Sequence, residues 1–181
     1  MCCTSPIGFA CDFCYDREQE AAQVFKSYLQ GRLGKDEAVH LLVPNHEVYV
    51  GFLRSAGVDI ESLEKDRRLG CLLISDCIVD KGRLSSAKAF QTATTLSQGD
   101  RELGFKGTRT ITLAEYHPEY VSPSDLLRYE NELGRTFNLP LSGFCIYNAR
   151  RLVDLGLHEL LISLFKPHGQ IIAKGLASSQ G

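Results

Sequence analysis

Thiols are the residues of this chain best suited to chemistry. Seven cysteines occur in 181 residues, and Cys2, Cys3, Cys11 and Cys14 crowd into the first fourteen positions. Cys11 and Cys14 have metal-ligand spacing, and Cys2 and Cys3 would complete a four-thiolate set for zinc or iron. Against this, the stretch around them reads as a strand, where side chains three apart point to opposite faces. The glycine of a zinc-knuckle turn is also missing, so plain thiols are the competing reading. The remaining three, Cys71, Cys77 and Cys145, lie in or beside apolar segments, where a thiol serves as a small apolar filler.

Phosphate chemistry is poorly supported. Gly31, Arg32, Leu33, Gly34, Lys35 hints at a phosphate loop, but its glycine spacing is wrong, it follows a helix, and Asp36 takes the hydroxyl position. The first strand–helix turn, Tyr15 to Glu18, has neither glycine nor a Lys-Ser/Thr pair. Leu72 to Asp76 resembles a strand ending in a magnesium-positioning aspartate, a feature shared by many ordinary strand ends. The five histidines are scattered; His46 and His117 fall near strand ends. No nucleophile elbow, Ser/His/Asp spacing or dinucleotide fingerprint occurs. A non-catalytic protein is the expectation.

Composition narrows the classes further. Lys and Arg number 20 against 22 Asp and Glu, for a net charge of -2. So even a balance lacks the basic face that direct nucleic-acid binding requires. No apolar run approaches the ~20 residues of a membrane span, and the N-terminus has no basic-then-apolar leader. With an odd thiol count, which suits a reducing compartment, this predicts a cytoplasmic chain that contacts no membrane.

Positioning any site requires a scaffold, and the pattern supplies alternating strands and helices. Ile7–Tyr15 reads as a strand. A helix capped by Asp16 follows, with Gly34 at its end. Ala38–Val43 is the second strand, and Asn45 caps a helix that Gly57 stops. A charged connector, Glu61 to Arg67, leads to the apolar run Cys71–Ile74. Ser85 or Ser86 opens a helix ending near Gly99 or Gly104, and Thr108–Leu113 is a strand. Ser122, Pro123 and Asp125 form a capping box before Leu126, Tyr129 and Leu133. Leu141–Tyr147, a helix over Leu152–Phe165 capped by Asn148 and stopped by Pro167, and Gln170–Ala173 complete the series. This predicts an α/β fold: one three-layer domain over residues 1–181, with 1–6 flexible and a mostly parallel sheet of six strands covered on both faces. Ligands in such folds sit beyond the strand C-termini. The positions to inspect are Tyr15–Arg17, Pro44–His46, Ser75–Ile78, Ala114–His117 and Tyr147–Arg150.

Several ordered stretches carry a resemblance. Cys14-Tyr15-Asp16 closes the first strand, Gly31–Glu37 joins helix to strand, and Ile78 to Leu84 is similar to a Tyr-x-x-x-Gly-x-Phe stretch. Arg109 and Glu115 resemble an Arg…Glu arrangement, Cys145-Ile146-Tyr147 a Cys-x-Tyr strand, and Leu160–His168 a leucine-rich helix with its closing motif. Together they resemble the DcmR-like sensory domain, MEDS, of methanogens and methylotrophs. The departures are Ala10 where a histidine is common, Ile78 and Leu84 where aromatics are, and Pro167-His168 in reversed order.

The resemblance implies a RecA-like, P-loop-NTPase-type α/β fold without a Walker A motif. It further implies a non-catalytic sensor of one-carbon or simple hydrocarbon derivatives, signalling through a separate partner or transcription-regulating protein. The candidate ligand-binding residues are Tyr15, Asp76, Cys77, Arg109, Glu115, Cys145 and Tyr147, with Arg109 facing an anionic ligand or pairing with Glu115. The alternatives are a metal or redox protein built on Cys2, Cys3, Cys11 and Cys14, and a pure interaction subunit. The all-round apolar helix 152–165 predicts a homodimer or hetero-complex that covers it or an adjacent sheet edge.

Overall fold

The computed structural model describes residues 10–15, 18–114, 122–136, 141–154, 156 and 170–173, with backbone alone for 10–14, 18, 134–136 and 170–173. Six strands pair into one sheet: β1 (Ala10–Tyr15), β2 (Glu37–Val43), β3 (Leu69–Leu73), β6 (Gly107–Leu113), β7 (Leu141–Asn148) and β8 (Gln170–Ala173). Their spatial order is β3-β2-β6-β7-β1-β8, and every neighbouring pair is parallel. Parallel strands need covered crossovers, which the intervening helices supply.

Strand alternation divides the sheet into two faces, each with its own core. Val39, Leu41 and Val43 of β2, Ile111 and Leu113 of β6, and Phe144 and Ile146 of β7 pack on one face. They meet α1 (Glu18–Leu33), α2 (His46–Ser55) and α3 (Ile60–Lys65) through Phe25, Leu29, Tyr49, Leu53 and Leu63. Full burial of a side chain such as Phe25 or Leu53 contributes about 1.5–3 kcal/mol. On the opposite face Leu42, Cys145 and Tyr147 meet Ile74 and Cys77 of α4 (Ile74–Cys77), Ala89 of α5 (Ser86–Glu102), Leu126 and Tyr129 of α6 (Pro123–Thr136), and Leu152 of α7 (Ala149–Asp154). The chain moves outward under α1 and α2 on the first face and returns under α5 and α6 on the second. Crossovers of one hand demand that change of face.

Local chemistry sets most helix starts. Asn45 accepts from the Val48 amide at 2.9 Å, Ser85 from Lys88 at 3.2 Å, Ser122 from Asp125 at 3.3 Å and Asn148 from Arg151 at 3.0 Å. Each satisfies an amide that the first turn leaves without a partner. Gly57 ends the segment after α2 at φ 62°, as expected.

Other expectations need correction. The charged connector contains a helix, α3, capped by Asp59. Ile74 leaves the strand to begin α4, because the backbone turns there. Residues 79–84 form a hairpin, β4 (Val79–Asp80) and β5 (Arg83–Leu84), whose turn residues Lys81 and Gly82 both have positive φ. That is the turn geometry a tight two-residue hairpin requires. The left-handed residue after α1 is Asp36 (φ 59°), not Gly34, and ion pairs to Lys106 and Arg68 secure it. Asp16, residues 1–9, and helix 152–165 beyond Asp154, apart from Gly156, lie outside the described residues.

Candidate functional site

The second face of the sheet holds the feature best suited to a ligand, and α5 creates it. Two sets of polar contacts fasten this helix. At its N-terminal half, Lys88 Nζ donates to the Val79 carbonyl at 2.6 Å and Thr92 Oγ1 to the Cys77 carbonyl at 2.7 Å. Near its C-terminus, the buried Asp100 accepts from Thr108 Oγ1 at 2.7 Å and pairs with His40 Nε2 at 2.9 Å. Gly70 makes room for that imidazole: a Cβ there would lie 2.5 Å from His40 Nδ1.

Over the cavity α5 presents only small or apolar groups, Ala89, Thr92, Ala93 and Leu96, and Gly143 of β7 contributes no side chain from below. A cavity of about 70 Å³ results. Its floor includes Thr110 and Thr112 of β6 with Gly143 and Cys145 of β7; Tyr129 and Leu133 of α6 close another side. None of the lining side chains carries a charge. Burial, reinforced by the neighbouring Glu130 carboxylate, holds the Tyr129 phenol well above its ordinary range, so it stays neutral. Behind this wall Tyr147 Oη donates to the fully buried Glu130 at 3.3 Å. An uncharged, part-open cavity of this size suits a molecule of three or four heavy atoms, about half the volume that accommodates benzene.

The family model of the methanogen/methylotroph DcmR sensory domain, MEDS, matches residues 12–163. The chain belongs to the MEDS family. Among solved structures it is similar to the uncharacterized protein PH0321 from Pyrococcus horikoshii, crystallised in complex with an unknown peptide. The TM-score is 0.68 at 12% identity, over 93% of this chain and 78% of that one, a likeness of fold. No curated protein matches. The α/β scaffold expected from the sequence and the sensory family are thus both observed.

Among the described residues, this MEDS domain does not gather the six expected ligand residues Tyr15, Asp76, Cys77, Arg109, Cys145 and Tyr147 at one place. Cys145 lines the cavity, and Tyr147 and Cys77 pack in the same core. Burial and the nearby Asp76 push the Cys77 thiol up, leaving it protonated. Asp76 itself is exposed and accepts from Ser75 Oγ at 3.1 Å. Tyr15 belongs to the first face, separated from the cavity by the sheet.

Arg109 is the clearest correction. It is the third residue of β6, near the N-terminal end of the sheet, so it cannot join a site at the strand C-termini. Its guanidinium is forked onto Glu37, with Nη2–Oε1 2.6 Å and Nε–Oε2 2.9 Å, while Arg32 approaches the same carboxylate at 3.7 Å. Burial disfavours the charge on Arg109, but the Glu37 bonds outweigh it and raise its pKa. Glu115 lies outside the described residues. Cys11 and Cys14 are placed in β1 by backbone only, and Cys2 and Cys3 lie outside. Among the described residues no group of three or more His, Cys, Asp or Glu is arranged to hold a metal. No helix among them is long and apolar enough to cross a membrane.

Of the cavity lining, sequence reasoning named Cys145 alone as a ligand residue and missed, among others, Thr110, Thr112, Ala93 and Gly143. Alternating threonines 108, 110 and 112 were a visible signal, but they read only as β-strand propensity.

Proposed function

We propose that this MEDS domain is a non-catalytic sensor whose ligand, a neutral one-carbon or simple hydrocarbon derivative, occupies the cavity beneath α5. The observation that carries this reading is an uncharged cavity of about 70 Å³ between β6, β7 and α5, kept open by polar anchors at both ends of the helix. Ligand affinity is bounded by size: four heavy atoms at a ceiling of about 1.5 kcal/mol each give a Kd no better than tens of micromolar. A sensor of abundant small metabolites needs no tighter grip.

The output passes to a separate polypeptide, as a homodimer mate or a transcription-regulating protein. The Thr92–Cys77 and Lys88–Val79 bonds connect the cavity roof to α4 and the β4–β5 hairpin, so a shift of α5 reaches that surface. The peptide in the PH0321 crystal is compatible with a polypeptide partner for this fold. Native mass spectrometry and amide-shift mapping of the full chain against one-carbon alcohols, amines and halides test the reading. Shifts clustered on β6, β7 and α5 are expected. Magnesium-dependent ATP turnover by the purified protein, or ligand shifts confined to the opposite face, would overturn it.

A further inference from the structure

The threonine row of β6 suggests which atom of the ligand is read. Strand alternation sends Thr108, Thr110 and Thr112 to the cavity face, each about 6.6 Å from the next. Their backbone groups are committed to the sheet, since β6 is paired on both sides, with β2 and with β7. Thr108 spends its hydroxyl on Asp100. Thr110 and Thr112 line the cavity, and among the described residues neither hydroxyl has a hydrogen-bond partner. Thr112 is only 9% exposed, yet its oxygen is not among the fully enclosed polar atoms. Both oxygens therefore stay reachable from the cavity and present a hydroxyl to whatever occupies it, whereas valine would fill the same shape and support the strand equally well.

Building on the cavity reading above, we propose that Thr110 and Thr112 form the polar recognition edge of the site. They select a small neutral ligand with an apolar body and one hydrogen-bonding oxygen, of the short alcohol or carbonyl type, over a pure hydrocarbon. The other lining groups suit this division: Ala89, Ala93, Leu96 and Leu133 take the carbon atoms. A charged ligand would find no counter-charge in the lining and would lose its hydration on entry.

The test uses the full chain and two probes of similar size, 1-propanol and propane, titrated into the wild type, Thr110→Val, Thr112→Val and Thr112→Ser while amide shifts of β6 and β7 are followed. The wild type should bind propanol more tightly than propane. Thr112→Val or Thr110→Val should weaken propanol roughly 5- to 10-fold, the worth of one hydrogen bond, and leave propane unchanged or tighter. Thr112→Ser should keep propanol affinity, and the valine variants should unfold at no lower urea concentration than the wild type. Propanol affinity unchanged in both valine variants overturns the recognition edge and leaves the cavity reading intact. If neither probe perturbs the wild type, both fail.

Discussion

Replacing Ala93 by leucine tests whether the space beneath α5 is open. Ala93 is buried on the underside of a helix and borders the cavity, and leucine is as good a helix former at that position as most residues. Filling 70 Å³ at about 24 cal/mol per Å³ recovers roughly 1.7 kcal/mol of cavity cost. The three added carbons contribute transfer energy of about 0.8 kcal/mol each where they leave water. Ordering the longer side chain costs about 0.5–1 kcal/mol, and imperfect fit consumes more. The balance is a gain of about 1–2 kcal/mol. For a chain of this length that raises Tm by roughly 2–8 °C. Urea unfolding should show a higher midpoint at unchanged slope, because the surface exposed on unfolding barely changes. At the same time 1-propanol should no longer shift β6 and β7 amides. Greater stability with lost binding is the signature of a filled pocket. A loss of 1–3 kcal/mol, the usual cost of overpacking, would mean that the space is already occupied and would refute the reasoning.

Gly70→Ala should destabilise by about 1–3 kcal/mol by pushing the His40 ring off Asp100, and the penalty should shrink in a His40→Ala background. Equilibrium unfolding of the four-member cycle measures the coupling. Glu37→Gln leaves the buried guanidinium groups of Arg109 and Arg32 without their carboxylate and should cost about 3–5 kcal/mol in the same assay. Burial holds the phenols of Tyr28, Tyr49 and Tyr129 above their ordinary range. A folded pKa raised above the unfolded one gives stability that is complete below about pH 10 and is lost as pH rises beyond it. Tyrosinate absorbance from these rings should therefore appear together with the loss of circular dichroism in an alkaline titration.

How much could be read before folding depends on the range of each interaction. Asn45, Ser85 and Ser122 cap amides three residues away, and Gly57 relieves its own backbone, so neighbours alone announced these helix boundaries. Apolar runs likewise announced most of the sheet strands, because a parallel strand buried on both faces is apolar along most of its length, while β6 was announced by its threonines and isoleucine. The 79–84 hairpin escaped notice since Lys-Gly is a weaker turn signal than Asn-Gly, and α3 because its charged residues showed no apolar stripe. Arg109 looked like a ligand residue until the β2–β6 register brought Glu37 to it from 72 positions away. His40 and Asp100, 60 positions apart, met in the same manner once α5 packed on β6, the strand beside β2. The cavity had no motif to find. It is the gap left where Ala93 and Gly143, each unremarkable in its own element, come to face one another, and a gap between two surfaces exists only once both have been brought together.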